Sequence, residues 1–148
     1  MVYLSMGFGN PYGDNWSEEI VFEWAEKLVA LNIQILSLAD TVGIATAEQV
    51  KRMTGYLIQQ LPQTEIGVHL HSTSLNWKEK LEAAYTSGCR RFDGALKGIG
   101  GCPMANDELV GNMDTIKMIP YFETQTNNLR FNKEALQKSL QLADQLFN

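Results

Sequence analysis

The sequence predicts an α/β protein built from parallel strand–helix units. Four times along its 148 residues, a short run of aliphatic and β-branched residues is followed by a loop and then by a helix-like stretch. The units recur at roughly 30-residue spacing, which is the length of a βαβ crossover. Two architectures share this pattern, a small open sheet and half of an eight-stranded barrel, because a complete barrel takes about 250 residues. No linker, charge block or low-complexity stretch interrupts the chain, so we expect a single domain over residues 1–148.

The charge balance and composition exclude several classes of protein. Lys and Arg number 12 against 17 Asp and Glu, a net charge of −5 without a basic cluster, so binding to nucleic acid or to an anionic membrane surface is not expected. No apolar run approaches the ~20 residues of a membrane span, and the N-terminus lacks the basic segment of a signal peptide. Two cysteines, Cys89 and Cys102, cannot form a disulfide framework, which favours a reducing, cytoplasmic compartment.

The first two units carry clear helix-start signals. A strand over residues 2–6 leads through a glycine-containing loop to a helix whose N-cap is predicted at Ser17. The second strand is predicted over residues 33–38. Its helix begins at Thr46, which together with Gln49 has the spacing of a capping box.

The third and fourth units are marked by glycine. The third strand is predicted over residues 66–71, and Gly88 is expected to close the following helix in the left-handed conformation. Within that helix, the charged residues 78–80 are interpreted as a solvent-exposed face. The fourth strand is predicted over residues 91–96, and it runs into a glycine-rich segment at residues 98–103.

Two more helices are predicted after the glycine-rich segment. One begins near Asn112 and is expected to end or kink at Pro120, because proline lacks the N–H that continues a helix. The last helix begins at about Asn132 and carries apolar residues along one face.

Polar residues follow each predicted strand, and both architectures place functional sites at that carboxyl edge. His69 and His71, the only histidines in the sequence, lie two apart on one predicted strand, so their side chains point to the same face. Two imidazoles that converge from one strand suit a metal ion. The pattern is short, however, and local hydrogen bonding at a strand end explains it equally well.

Three other residues at this edge have two interpretations each. Asp40 ends the second strand, where its carboxylate could bind metal, orient a ligand or act as a base, or could cap the following loop. Cys102 follows the glycines of residues 98–101, where its thiol could act as an acid or base or be an ordinary surface group. Asn112 could give its amide oxygen to a cation or cap its helix. Cys89 is expected to be a small buried residue.

Four motifs, taken in order, resemble the 3-hydroxy-3-methylglutaryl-CoA (HMG-CoA) lyase family, which belongs to the metal-dependent lyase and synthase barrels. The motifs are Ser37-Leu38-Ala39-Asp40-Thr41-Val42-Gly43, Val68-His69-Leu70-His71-Ser72-Thr73, Gly98-Ile99-Gly100-Gly101-Cys102-Pro103 and Gly111-Asn112. The opening Gly9-Asn10-Pro11-Tyr12-Gly13 is also similar to that family's fifth strand and loop. The resemblance runs from the first strand to about residue 123. It implies the second half of a (β/α)8, or TIM, barrel, with about four parallel strands and their helices.

The resemblance also implies a chemistry. His69, His71 and Asn112 would bind a divalent cation, Mg²⁺ or Mn²⁺, and Cys102 would act on a mobile loop over the site. The implied catalytic residues are Cys102, His69 and Asp40. The substrate would be an acyl-CoA, and metal-assisted cleavage of a C–C bond would convert HMG-CoA to acetoacetate and acetyl-CoA.

The sequence departs from the family in three respects. The interval between Cys102 and Asn112 is about one residue longer than in some members. Ser72 stands where the family usually has Asp after the two histidines, and the family's first four strands, with an Asp ligand and a catalytic Arg, are absent. We therefore expect a half-barrel with weak metal binding and little or no activity alone. Unpaired barrel edges and an exposed apolar inner face predict a homodimer or association with the missing half. The alternatives are a non-catalytic metal-binding or interaction module, and a related acyl-CoA-using synthase or aldolase.

Overall fold

The architecture is a parallel sheet covered by helices, seen in a computed structural model that describes residues 1–101, 110–126 and 129–147. The strands are β1 (Val2–Leu4), β2 (Ile35–Ala39), β3 (Glu65–His69), β4 (His71–Ser72), β5 (Arg91–Phe92) and β6 (Gly111–Asn112). The helices are α1 (Glu18–Ala30), α2 (Ala47–Gln60), α3 (Trp77–Thr86), α4 (Thr115–Gln125) and α5 (Lys133–Leu146). The sheet has the order β1-β2-β3-β5 with all neighbours parallel, and β4 and β6 form a separate antiparallel pair. The prediction of four parallel strands separated by helices is therefore confirmed.

One face of the sheet carries the hydrophobic core. Leu36 and Leu38 of β2 and Val68 of β3 are at most 1% exposed, and they alternate with residues of the opposite face. From the helices, Met53 and Leu81 are fully buried in the same cluster. Complete burial of each such side chain contributes about 1.5–3 kcal/mol. This layer therefore holds the helices against the sheet.

The opposite face of the sheet is polar, so the apolar inner face expected from the sequence is wrong. Tyr3 is 42% exposed on this face, next to Ser37 in register, and Ser37 in turn pairs with Gly67. Arg91 lies across Gly67, where a Cβ would be only 2.8 Å from the arginine Cγ. The Nε of Arg91 is 3.0 Å from Oε1 of Glu65. Because Gly67 has no side chain, the ion pair of Arg91 and Glu65 can lie across it, where apolar packing was expected.

The helix boundaries follow most of the sequence signals. The Oγ of Ser17 accepts a hydrogen bond from the first turn of α1, and Thr46 and Gln49 form the reciprocal capping box of α2. Asn132 is the N-cap of α5, and Gly88 follows α3 with a φ of +105°. These four predictions are confirmed. None of the helices in the described part of the chain combines the length and apolarity that a membrane span requires.

The region around Asn112 differs from the prediction. Helix α4 begins at Thr115 after the N-cap Asp114, whose side chain accepts a backbone hydrogen bond, while Asn112 lies in β6. Asn112 therefore pairs within a strand, and the carboxylate of Asp114 caps the helix instead. The helix also continues through Pro120 to Gln125. A proline costs one backbone hydrogen bond there, which packing of the following aromatic residues against the core offsets.

Three strands are shorter than predicted at their carboxyl ends. Strand β1 ends at Leu4, although its prediction extended to residue 6. Strand β3 ends at His69 and the chain then enters β4, so the strand predicted over residues 66–71 is divided. Strand β5 ends at Phe92, although its prediction extended to residue 96. The division of the third strand matters for function, because it pairs His71 with β6 and not with the parallel sheet.

Candidate functional site

An open cavity of about 500 Å³ lies at the carboxyl ends of the parallel strands. Its walls come from β1 to β4, from β6, and from the glycine-rich segment. The lining residues are Tyr3, Ser5, Ala39, Thr41, His69, His71, Gly101 and Asn112. Parallel α/β folds place functional groups at this edge. The three side chains that the family resemblance implies as metal ligands, His69, His71 and Asn112, share this cavity.

His69 and His71 belong to different strands, yet their rings lie close together, with centroids 5.2 Å apart. The Nδ1 of His71 is 2.8 Å from the backbone oxygen of Asp40. Because a carbonyl can only accept, we assign the hydrogen to Nδ1, which leaves the lone pair of the neutral ring on Nε2. Burial lowers the pKa of His71 below its ordinary value of 6.5. The ring is therefore held in the neutral form that metal ligation requires.

Asn112 lies directly opposite His71 in the antiparallel pair of β4 and β6. Its Nδ2 donates a hydrogen bond to the backbone oxygen of Ile99 at 3.0 Å. This contact fixes the amide group and leaves Oδ1 as its acceptor atom, and amide oxygens are common ligands of hard cations. The alternative that Asn112 caps a helix is wrong, because Asp114 caps α4.

The glycines of residues 98–101 allow the backbone to approach Asn112 closely. Gly98 and Gly100 have φ values of +66° and +80°. A Cβ at Gly98 would lie 2.9 Å from the backbone oxygen of Asn112, and one at Gly100 would lie 3.2 Å from its Nδ2. Only glycine combines a positive φ with the absence of a Cβ, so only glycine fits these positions without strain. The next residue, Cys102, lies outside the described residues, so its catalytic role stays a prediction.

Asp40 is 1% exposed, and its carboxylate lies outside the cavity. Its Oδ1 accepts a hydrogen bond from the backbone N–H of Ala45 at 3.0 Å, and its Oδ2 is 2.8 Å from Nζ of Lys80. The adjacent Ala39 and Thr41 line the cavity instead. Loop capping therefore accounts for one oxygen and an ion pair for the other. Asp40 reaches the site through its backbone carbonyl, and its catalytic role stays a prediction.

Lys80 is buried, so the solvent-exposed face predicted for residues 78–80 is wrong at this position. Its side chain is 2% exposed, and its Nζ donates to Oδ2 of Asp40 at 2.8 Å, to the backbone oxygen of Gly43 at 3.1 Å and to that of His71 at 2.9 Å. These three acceptors offset the cost of burying the ammonium group. The helical period places this residue on the apolar face of α3, a signal that its charge obscured.

Asp93 and Tyr3 belong to the site, although no sequence motif marks them. The hydroxyl of Tyr3 donates to Oδ2 of Asp93 at 2.9 Å, and Nδ1 of His69 is 3.5 Å from the same oxygen. The hydrogen bond to Asp93 is the main cause that raises the pKa of Tyr3 above 10.0. Asp93 directly follows β5, but the prediction extended that strand to residue 96, so the rule that polar residues follow strands did not find it. Tyr3 offered no comparable signal.

The donor atoms of this site fit part of the ligand set of a divalent cation. They are the imidazole nitrogens of His69 and His71 and the amide oxygen of Asn112, ligand types that Mg²⁺ and Mn²⁺ accept. The hydrogen bonds of His71 and Asn112 involve Nδ1 and Nδ2, respectively, so they leave Nε2 of His71 and Oδ1 of Asn112 as the donor atoms. Within the described residues there is no group of three or more His, Cys, Asp or Glu side chains that could hold a metal. The three donor side chains themselves, His69, His71 and Asn112, include no carboxylate.

Sequence comparisons identify relatives of known activity. The HMGL-like family model matches residues 4–144. Hydroxymethylglutaryl-CoA lyase YngG of Bacillus subtilis is 33% identical over 127 residues, which are 84% of this chain and 42% of that protein. The (R)-citramalyl-CoA lyase of Chloroflexus aurantiacus is 35% identical over 121 residues, 82% of this chain and 38% of that protein. The chain thus spans about two fifths of the length of these relatives.

A solved structure has the same fold. The HMG-CoA lyase from Acinetobacter baumannii, in complex with coenzyme A and 3-methylmalate, matches with a TM-score of 0.78 at 35% identity, over 94% of this chain and 46% of that one. The parallel strands and helices of this chain therefore correspond to about half of a lyase barrel. With the family model matched over nearly the whole chain and a lyase structure matched in space, the protein belongs to the HMGL-like family.

Proposed function

We propose that this chain forms the metal-binding part of a carbon–carbon lyase active site that cleaves HMG-CoA to acetoacetate and acetyl-CoA. The observation that carries the proposal is the convergence of His69, His71 and Asn112 on one cavity at the carboxyl edge of the sheet. Membership of the HMGL-like family supports the reaction class. The coenzyme A in the Acinetobacter baumannii structure supports an acyl-CoA as the substrate.

In this proposal, His69, His71 and Asn112 hold Mg²⁺ or Mn²⁺. When bound, the cation polarises the substrate's oxygens and stabilises the negative charge that develops on them. As a ligand of that cation, His69 also counts among the catalytic residues. His71 suits the task because its buried ring stays neutral and carries its lone pair on Nε2. Asn112 suits it because its amide nitrogen is tied to Ile99.

The remaining groups handle protons. A base removes the proton of the tertiary hydroxyl, the C–C bond breaks, and the enolate of acetyl-CoA takes a proton at its α carbon. We assign the donation of this proton to Cys102, which directly follows the cavity-lining Gly101 in the sequence. Asp40 contributes through its backbone carbonyl, which holds the Nδ1–H of His71.

Activity requires the part of the barrel that this chain does not span. Strands β1 and β5 end the sheet order, so each has one side without a strand neighbour among the described residues. Four further strand–helix units would close the barrel, supplied by a longer chain, a second subunit or another copy of this chain.

We place the protein in the cytoplasm as a single domain over residues 1–148. In support, Cys89 is buried and is not in a disulfide.

A complementation assay tests the proposal. Acetoacetate release from HMG-CoA is measured in the presence of Mn²⁺, for the chain alone and for the chain mixed with the amino-terminal half of the Bacillus subtilis relative. We expect release only from the mixture. The variants His69→Ala, His71→Ala and Asn112→Ala should each reduce it at least about tenfold, while the exposed Asn15→Ala should not. A mixture that stays fully active with all three ligand variants would contradict the proposal, as would an associated mixture without activity.

A second substrate is supported by the comparisons. The Chloroflexus aurantiacus relative, an (R)-citramalyl-CoA lyase, is as similar to this chain as the Bacillus subtilis lyase is. The same assay, run with both thioesters, separates the two substrates by their rates. Binding of Mn²⁺ by the two histidines, together with cleavage of neither thioester, would instead identify a non-catalytic metal-binding module.

A further inference from the structure

We propose that Lys80 is a positioning residue for His71. Its buried ammonium group joins the carboxylate of Asp40, which follows β2, to the backbone of β4, so that the His71 imidazole is held with Nε2 toward the cavity. The inference rests on the proposed function, because it concerns an imidazole that we assign to the metal. It goes beyond that function because Lys80 itself does not line the cavity.

The contacts of Lys80 form a closed loop with two other residues. Its Nζ donates to the carboxylate of Asp40 and to the backbone oxygen of His71, while Nδ1 of His71 donates to the backbone oxygen of Asp40. The third N–H of the ammonium group reaches the backbone oxygen of Gly43. Every donor of Lys80 is therefore used, and each contact fixes a group within the loops that carry the site. Rotation of the His71 ring would break one side of this loop.

Stability alone does not account for a lysine at this position. Lys80 lies on the buried face of α3 together with Leu81 and Ala84, which are fully buried. Replacing a buried ion pair with apolar residues of similar volume is often neutral or stabilising, because desolvation of two charges cancels their attraction. A pair of this kind is better explained by the geometry that it imposes. Here the geometry is the orientation of His71.

The test removes both charges of the pair at once. Lys80→Met alone would leave the carboxylate of Asp40 buried without a partner, so loss of folding would be expected whatever the role of Lys80. The informative variant is Asp40→Asn/Lys80→Met, in which the amide oxygen still accepts the N–H of Ala45 and the methionine fills the space of the lysine. The matched control is Lys78→Met on the exposed side of the same helix.

Three quantities are measured on the full chain. ¹⁵N NMR of the imidazoles at pH 8 with EDTA reports which ring nitrogen carries the hydrogen, and a His69→Gln spectrum assigns the two histidines. Titration with Mn²⁺ gives the affinity, and thermal unfolding shows that each variant is folded. In the wild type, we expect His71 to be in a single tautomer with a hydrogen on Nδ1. In the folded double variant, we expect a mixture of tautomers and at least about tenfold weaker Mn²⁺ binding.

Two results would overturn the proposal. One is a folded double variant that retains both the single tautomer and the Mn²⁺ affinity of the wild type and of Lys78→Met. The other is a mixture of tautomers in the wild type itself, which needs no variant to fold. If the wild type binds no Mn²⁺, the proposed function fails, but the comparison of tautomers still decides the role of Lys80.

Discussion

Burial determines the charge of His71 and therefore what this residue can bind. The ring is 5% exposed, and desolvation disfavours its protonated form more strongly than the hydrogen bond to the Asp40 carbonyl favours it. A neutral imidazole with a fixed Nδ1–H offers one lone pair, at Nε2. The burial of His71 in β4 therefore determines which ligand atom this residue offers to the site.

The stability of the protein should fall in mild acid because of His71. Since the pKa of His71 is lower in the folded state, the unfolded chain binds the proton first as the pH drops below about 6.5, and acid favours unfolding. This loss of stability is absent at pH 8, begins near pH 6.5, and is complete once the pH falls below the pKa of His71 in the folded state. Urea unfolding of EDTA-treated protein at pH 8 and pH 5.5 measures the effect.

The control for this pH effect is His71→Asn, whose Nδ2 can still donate to the Asp40 carbonyl but does not titrate. We expect the free energy of unfolding to fall more between the two pH values in the wild type than in the variant. Equal losses in both proteins would show that other groups cause the pH dependence.

Among the elements, β2 contributes most to holding the sheet and the site together. It pairs with both β1 and β3, and its carboxyl end leads into Asp40. Leu38 lies in the centre of this strand, is fully buried, and is in register with Leu4 and Val68. Loss of packing at Leu38 should therefore affect the whole sheet.

Leu38→Ala should destabilise the protein by about 2–5 kcal/mol, because the substitution removes buried methyl groups and leaves a cavity. The matched control is Leu75→Ala, at a position that is 93% exposed, where a change within about 0.5 kcal/mol is expected. Urea unfolding at pH 8 provides both values. A loss below 1 kcal/mol at Leu38 would contradict the packing described for β2.

Local chemistry explains which elements could be predicted from the sequence. The helix starts at Ser17 and Thr46 depend on side chains within the first turn, so short patterns sufficed. The helical period places Lys80 on the buried face of α3, but the carboxylate that pairs with its charge lies 40 residues away in the chain, at Asp40. The pairing of β4 with β6 is likewise long-range, and it moved Asn112 from a predicted helix into a strand. Such contacts leave no local pattern.

At the scale of the whole molecule, the sheet is open at both ends of its strand order. The outer sides of β1 and β5 have no strand partner in the described ranges, and exposed strand edges favour pairing with another chain. Helix α5 adds an apolar surface, because Leu142 and Leu146 are 57% and 73% exposed. The polar inner face does not provide such a surface, so association should proceed through edges and helices.

We therefore expect the chain to associate with itself or with a complementary half-barrel. Light scattering across a range of concentrations should show a mass above that of the 16.6 kDa chain, rising with concentration. A strictly monomeric species at every concentration, with and without the amino-terminal half of the Bacillus subtilis relative, would contradict this expectation. The family motifs predicted the half-barrel, but they do not identify the partner that closes it.

Anomalous X-ray scattering from crystals soaked in Mn²⁺ would show whether His69, His71 and Asn112 bind one divalent cation, as we propose. We expect one strong peak in the cavity, at bonding distance from an imidazole nitrogen of His69, from Nε2 of His71 and from Oδ1 of Asn112. A cavity without a peak in an otherwise unchanged structure, or a peak bound to other residues, would contradict it.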